Sequence, residues 1–172
     1  METLIISGDC GKQALMKAIS GMVKKTIYKI DRELVGQILF ELILSARKKS
    51  EEVKVWIDDE TDHLFFGTEY AGSVFEPNIK NTKGKSKGEL LAMGILQSND
   101  SESYGLYDII SDVASVSGKV RIISDGELIE FSGKEHYYTC KHKCNGSASI
   151  GIYFGKGIDE TDDIKINKEG TR

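Results

Sequence analysis

The stretch Ser101 to Ser124, SESYGLYDIISDVASVSGKVRIIS, constrains the fold more than any other part of the chain. A short polar loop ends in Tyr104-Gly105-Leu106 and runs directly into a helical pattern that stops at Gly118. A β-branched strand, Val120 to Ser124, follows at once. A helix delivered straight into a strand demands a mixed α and β architecture, with the apolar side of each element facing the other. The same segment carries a chemical hint. A glycine loop opening a helix is where backbone N–H groups and the positive end of the helix dipole can receive a phosphate.

The elements on either side extend the pattern. Leu4-Ile5-Ile6 is an apolar strand candidate ended by Gly8-Asp9. From Gln13 to Lys25, the residues Leu15, Ala18, Ile19, Met22 and Val23 recur at helical spacing. A second helix is predicted to start at Asp31 as N-cap, with a broad stripe of Leu34, Val35, Ile38, Leu39, Leu42, Ile43 and Ala46. It ends in Arg47-Lys48-Lys49, cations where the dipole favours them. Strands are predicted at Val53–Ile57 and His63–Gly67, joined by a turn, then at Val120–Ser124, Leu128–Phe131 and Ile150–Phe154. Between the hairpins, Glu69 to Gly88 is rich in Gly, Ser, Asn and Lys and has the only proline, Pro77. Loops of that length are often lids or binding loops. Ser86 and Glu89 have capping-box spacing and open a short helix through Leu96.

This order predicts an α+β two-layer sandwich, with helices on one face of a mostly antiparallel mixed sheet. One domain spans residues 1–155, with a lid segment at about 69–101 and a charged tail at 156–172.

Charge and composition narrow the partners. The chain has 172 residues and a formal net charge of −4, which gives little pull on phosphate backbones and disfavours nucleic acid. No apolar run approaches the roughly 18 residues of a membrane span. The start, METLIISGD, lacks the basic lead and long apolar core of a secretion signal, so a cytoplasmic setting is expected. The three cysteines show no disulfide spacing. Cys140, His142 and Cys144, with His136 nearby, have usable zinc spacing but lack a fourth ligand in pattern, and read best as a polar loop between strands. Lys80, Lys83, Lys85 and Lys87 form a local basic cluster suited to phosphates or simply to solvent. Gly84-Lys85-Ser86 fails as a P-loop, because Ile79 stands where its first glycine belongs. Gly8 to Gln13 is better placed, between a strand and a helix with Lys12 as the phosphate lysine. Its glycines are too close, and Gln13 replaces the hydroxyl.

Taken together, the layout resembles the GHKL superfamily, the ATP-binding fold of gyrase, histidine kinases and mismatch-repair ATPases, and within it the small histidine-kinase-like and anti-sigma-factor ATPases. The likeness runs from Asp31 to Phe154. In ELILSARKK, Glu41 stands in the family's Glu position and Ser45 in the position of its Mg²⁺-coordinating Asn. Glu69-Tyr70-Ala71-Gly72-Ser73-Val74 corresponds to the adenine-binding box. Tyr70 falls where the adenine-reading Asp belongs, Glu69 lies one residue off register, and Val74 replaces the last glycine. Ser103-Tyr104-Gly105-Leu106 corresponds to the second glycine box, with Ser103 in place of its first glycine. The resemblance implies an ATP- and Mg²⁺-binding regulator that acts through a protein partner, with a homodimer also compatible. Glu41 is its catalytic base. Ser45, Glu69, Gly72, Lys83, Lys85, Ser103, Tyr104, Gly105 and Leu106 are its nucleotide contacts, and Ser45 also serves as a weak metal ligand. The departures imply weak or absent ATPase or kinase activity, or a partner-binding pseudo-ATPase of the same fold. A P-loop NTPase using Lys12 is the distant alternative.

Overall fold

A computed structural model describes residues 1–74, 84–97 and 105–156. Among them are four helices and one open sheet of seven strands, so the chain is an α+β protein. The elements are β1 (Glu2–Ser7), α1 (Lys12–Lys24), α2 (Arg32–Arg47), β2 (Glu52–Asp59), β3 (His63–Ala71), α3 (Lys87–Gln97), α4 (Leu106–Ser115), β4 (Lys119–Ser124), β5 (Glu127–Phe131), β6 (Tyr137–Lys141) and β7 (Ser147–Gly155). The strands lie in the order β1-β2-β3-β7-β4-β5-β6, and every pairing is antiparallel.

Period-2 alternation decides which side of the sheet is covered. Val53, Val55 and Ile57 on β2 are buried, as are Leu64, Phe66, Thr68 and Tyr70 on β3. So are Val120 and Ile122 on β4 and Ile150, Ile152 and Phe154 on β7, and all of these face the helices. α2 packs on β2 and β3, α4 on β4, and α3 on β5 and β6. Asp31 caps α2 as its sequence predicts, accepting a hydrogen bond from the Glu33 N–H at 2.9 Å. Ser86 likewise opens α3, accepting from the Glu89 N–H at 3.1 Å.

Two expectations need correction. The stretch from Cys140 to Cys144 begins inside strand β6, an edge strand paired to β5, and only His142 to Cys144 belong to the expected loop between strands. Tyr137, Tyr138 and Thr139 favour a pleated, half-buried surface, and that preference outweighs the polar flanks. Nor is the 69–101 segment uniformly lid-like. Within it, α3 buries Leu91, Ala92 and Ile95 in the common core and belongs to the helical layer. Pro77, Lys80 and Lys83, and the tail beyond Lys156, lie outside the described residues.

At the sheet centre Gly67 on β3 stands opposite Gly151 on β7. On this uncovered side the rings of Trp56 and Tyr153 lie over the two glycines. A Cβ on Gly67 would come within 2.2 Å of the Ile150 carbonyl oxygen and 2.9 Å of the Trp56 ring. Gly67→Ala is therefore expected to destabilise the protein by about 1–3 kcal/mol in urea unfolding, through overpacking. Gly94→Ala is the contrast. Gly94 sits on an exposed turn of α3 with open space around it, so the change should stabilise by about 0.5–1 kcal/mol.

Candidate functional site

α2 and α4 come together above the end of β3 and the middle of β7, enclosing a cavity of about 660 Å³. That lies within the range of small-molecule sites. One wall is α2, with Glu41, Ser45 and Lys48 on successive turns of one face. The other wall is the start of α4, with Gly105, Leu106 and Ile109. Leu42, Val74 and Ile150 supply apolar surface. Among the described residues, Glu41, Ser45 and Lys48 have no hydrogen-bond or ion-pair partner, which leaves their polar atoms available to a ligand. Arg47 also lines the cavity, but its guanidinium donates to the Cys10 and Gly8 carbonyls at 2.7 and 2.6 Å. It holds the β1–α1 connection against α2.

The N-terminus of α4 is less open to an anion than the glycine loop suggests. Asp108 folds back and accepts the Gly105 N–H at 3.0 Å, so one carboxylate already sits on the positive end of the dipole.

Of the sequence-predicted residues, Glu41, Ser45, Gly105 and Leu106 share this cavity. Glu69 does not. It points to the opposite, uncovered face of the sheet, where it pairs with Lys54 at 3.5 Å. It borders a separate depression of about 290 Å³ with Asn145 and Ser147. A one-residue offset in a strand reverses the face, and that separates Glu69 from Tyr70. Tyr70 points toward the helices, is 5% exposed, and has its phenol pushed up to about 12 by burial. Gly72 has φ +121° and donates its N–H to the Gly146 carbonyl at 2.9 Å, so it serves the backbone turn that ends β3. Lys85 lies against Met93 Sδ, away from the cavity. Lys83, Ser103 and Tyr104 lie outside the described residues.

Cys140 and Cys144 do not assemble a metal site, and no group of three metal-binding side chains occurs among the described residues. Cys140 projects from β6 beside Leu128, while Cys144 accepts the Gly126 N–H at 3.1 Å. Lys12 lies over the Phe40 ring at 5.8 Å. With every strand pair antiparallel among the described residues, Lys12 also lacks the parallel βαβ setting of a P-loop.

Sequence reasoning missed two features. Thr68, cross-strand from the Ile150 of the cavity wall, is wholly buried, and its hydroxyl has no partner among the described residues. Its sequence neighbours Gly67 and Glu69 gave no signal, because only strand register reveals which way it points.

The second is a polar hub on the β4–β5 turn. Asp125 Oδ2 accepts from Ser73 at 2.5 Å and from Ser124 at 2.8 Å, and its Oδ1 pairs with Lys87 at 2.9 Å. The Val74 N–H donates to Ser124 Oγ, and Lys49 donates to the Ser73 and Val74 carbonyls. The end of β3 and the start of α3 are thus bound to one turn, Ser124-Asp125-Gly126-Glu127, in which Asp125 takes φ +55° and Gly126 φ +80°.

No protein-family model, curated protein or solved structure matches the chain. No helix among the described residues is long and apolar enough to cross a membrane.

The hub titrates in two directions. Burial works against the Asp125 carboxylate, but hydrogen bonds from Ser73, Lys87 and Ser124 prevail and hold its pKa below the ordinary value. Its contribution is present above the unfolded carboxylate pKa, about 3.9, and is lost as pH falls through the depressed folded value. Asp125→Asn should therefore be less stable than wild type at pH 7, with the gap closing below about pH 4. Burial pushes Glu127 the other way, upward, against a Ser86 hydrogen bond and the Lys87 charge. Its ionisation costs stability as pH rises through the raised folded value. Glu127→Gln should gain on wild type between about pH 4 and 7, read from paired urea unfolding curves.

Proposed function

We propose that the chain is a nucleotide-binding regulatory domain of the GHKL type. ATP occupies the α2–α4 cavity, and the bound state is read by a protein partner. The observation that carries this reading is the cavity itself. It unites Glu41 and Ser45 with Gly105 and Leu106, residues far apart in sequence that the family resemblance selects as one site. Lys48 offers a mobile cation for phosphates at its rim. One carboxylate and one hydroxyl on the same helix face, both without other partners, suit a Mg²⁺ that arrives with its phosphates and keeps most of its water. Glu41 is the group that would orient an attacking water. Turnover is weak or absent on this reading, because Ser45 is a poorer ligand than Asn and Asp108 opposes phosphate at α4.

A second reading, a partner-binding pseudo-ATPase, is favoured by one specific observation. The base-reading position holds Tyr70, a buried phenol that stays neutral, while the nearest carboxylate, Glu69, faces the other side of the sheet.

Thermal unfolding with and without ATP and Mg²⁺ separates the two. Saturation at a hundred times Kd adds about 2.7 kcal/mol, a rise of several degrees in Tm for a protein of this size. Gly105→Trp should abolish the shift by filling the cavity mouth. Glu41→Gln should keep the shift and remove any residual hydrolysis. No shift at millimolar ATP overturns the first reading and leaves the second.

A further inference from the structure

A second concavity lies between α1 and α2, lined on α2 by residues up to Phe40, where the α2–α4 cavity takes Glu41 onward. α1 and α2 run antiparallel, with Lys12 beside Phe40, Ile19 beside Gly36, and Thr26 bonded to Arg32. Between them is a groove of about 490 Å³. Its α1 wall carries Met16, Ser20 and Val23 at i, i+4, i+7 spacing, and its α2 wall Glu33, Gly36, Gln37 and Phe40 at i, i+3, i+4, i+7. Gly36 has no side chain and Ser20 a short one, so the floor is open between the two apolar ridges. Met16 is 54% exposed on a rim where an apolar side chain gains nothing from water.

The charge around this groove is one-sided. Residues 12–30 contain five lysines and no acid, in a chain whose net charge is −4. Lys24 and Arg32 line one end of the groove, Lys12 lies over Phe40 at the other, and Lys17 follows Met16 on α1. Lys12, Lys17 and Lys24 have no carboxylate partner among the described residues, and Glu33 is the sole acid in the lining. The span from Lys12 to Lys24 is about 18 Å at 1.5 Å per residue, roughly three helical turns.

We propose that this groove is a docking site for an acidic amphipathic helix of a protein partner. The helix lays an apolar i, i+3/i+4, i+7 stripe between Met16 and Phe40 and sets carboxylates against the lysines at both ends. Concavity favours a helix over a flat anionic membrane, and the excess of cations disfavours a second copy, whose own lysines would meet these. The site is independent of nucleotide.

The test uses the full chain and two labelled 16-residue peptides with identical leucine stripes. One has glutamates on its polar face and the other lysines. Fluorescence anisotropy should report saturable binding of the acidic peptide, at least tenfold tighter than the basic one and weakened by salt. Met16→Glu and Lys24→Glu change exposed side chains and should each lower affinity at least tenfold with an unchanged circular dichroism spectrum. Lys143→Glu, exposed on the far β6–β7 connection, is the control for net charge and should leave affinity intact. Equal affinity for both peptides, or indifference to Met16→Glu and Lys24→Glu, overturns the proposal. So does self-association in sedimentation that these two changes abolish, which would assign the groove to a second copy. Binding to phosphatidylserine vesicles without binding to the acidic peptide overturns it in favour of a membrane.

Discussion

The pairing of β3 with β7 is the interaction on which the rest depends. Three strands precede it on one side, β1 to β3, and three follow on the other, β4 to β6. β7, the last strand in the chain, inserts between them, in register with β3 from His63↔Gly155 to Ala71↔Ser147 and with β4 along its other edge. Without it the molecule is two separate sheets with unpaired inner edges. Such a contact closes a loop of about half the chain, so its entropic cost is met late, when large apolar surfaces are buried together. Phe66, Phe154, Ile150 and Ile152 provide that surface from the helix side.

The opposite side of the same joint is stabilised differently. Arg121 on β4 lies with its guanidinium 4.7 Å from the Tyr153 ring centroid and bonds Glu130 on β5 at 2.5 Å. Burial opposes the Arg121 charge, yet Glu130 outweighs it through hydrogen bond and charge, and its pKa is raised. Glu130 also lies 3.7 Å from the Lys119 ammonium, so two cations hold this buried carboxylate. Tyr153 in turn packs near Trp56 and Phe65, so the aromatic cover over the glycine pair is continuous with the ion pair beside it. The two halves are therefore joined on both faces, apolar on one, aromatic and ionic on the other.

The α2–α4 cavity is a product of this joint. Glu41 and Ser45 belong to a helix packed on β2 and β3, Gly105 and Leu106 to a helix packed on β4. They meet because β7 brings β3 and β4 within two strand spacings. Helical periodicity made Glu41 and Ser45 readable as one face, and the loop–helix–strand pattern made Gly105 readable as a helix start. The face of Glu69 was not readable. Its neighbours Thr68 and Tyr70 are equally compatible with either side of a strand until the register with Ser149 assigns it outward. β6 escaped for a related reason, since an edge strand half in water lacks an apolar run. The hub at Asp125 was invisible because Ser73, Lys87 and Ser124 are distant in sequence and ordinary in type.

Local chemistry written in the chain was enough for the α1 to α4 stripes, the Asp31 and Ser86 caps, the hairpins and the α+β class. Each rests on interactions within a few residues, at a period of 3.6 or 2. Placement of the final strand between β3 and β4, the assignment of Glu69 and Tyr70 to opposite faces, and the meeting of α2 with α4 came from long-range packing. Those outcomes compare energies of whole surfaces, buried one way or the other, and no local window contains both sides of that comparison.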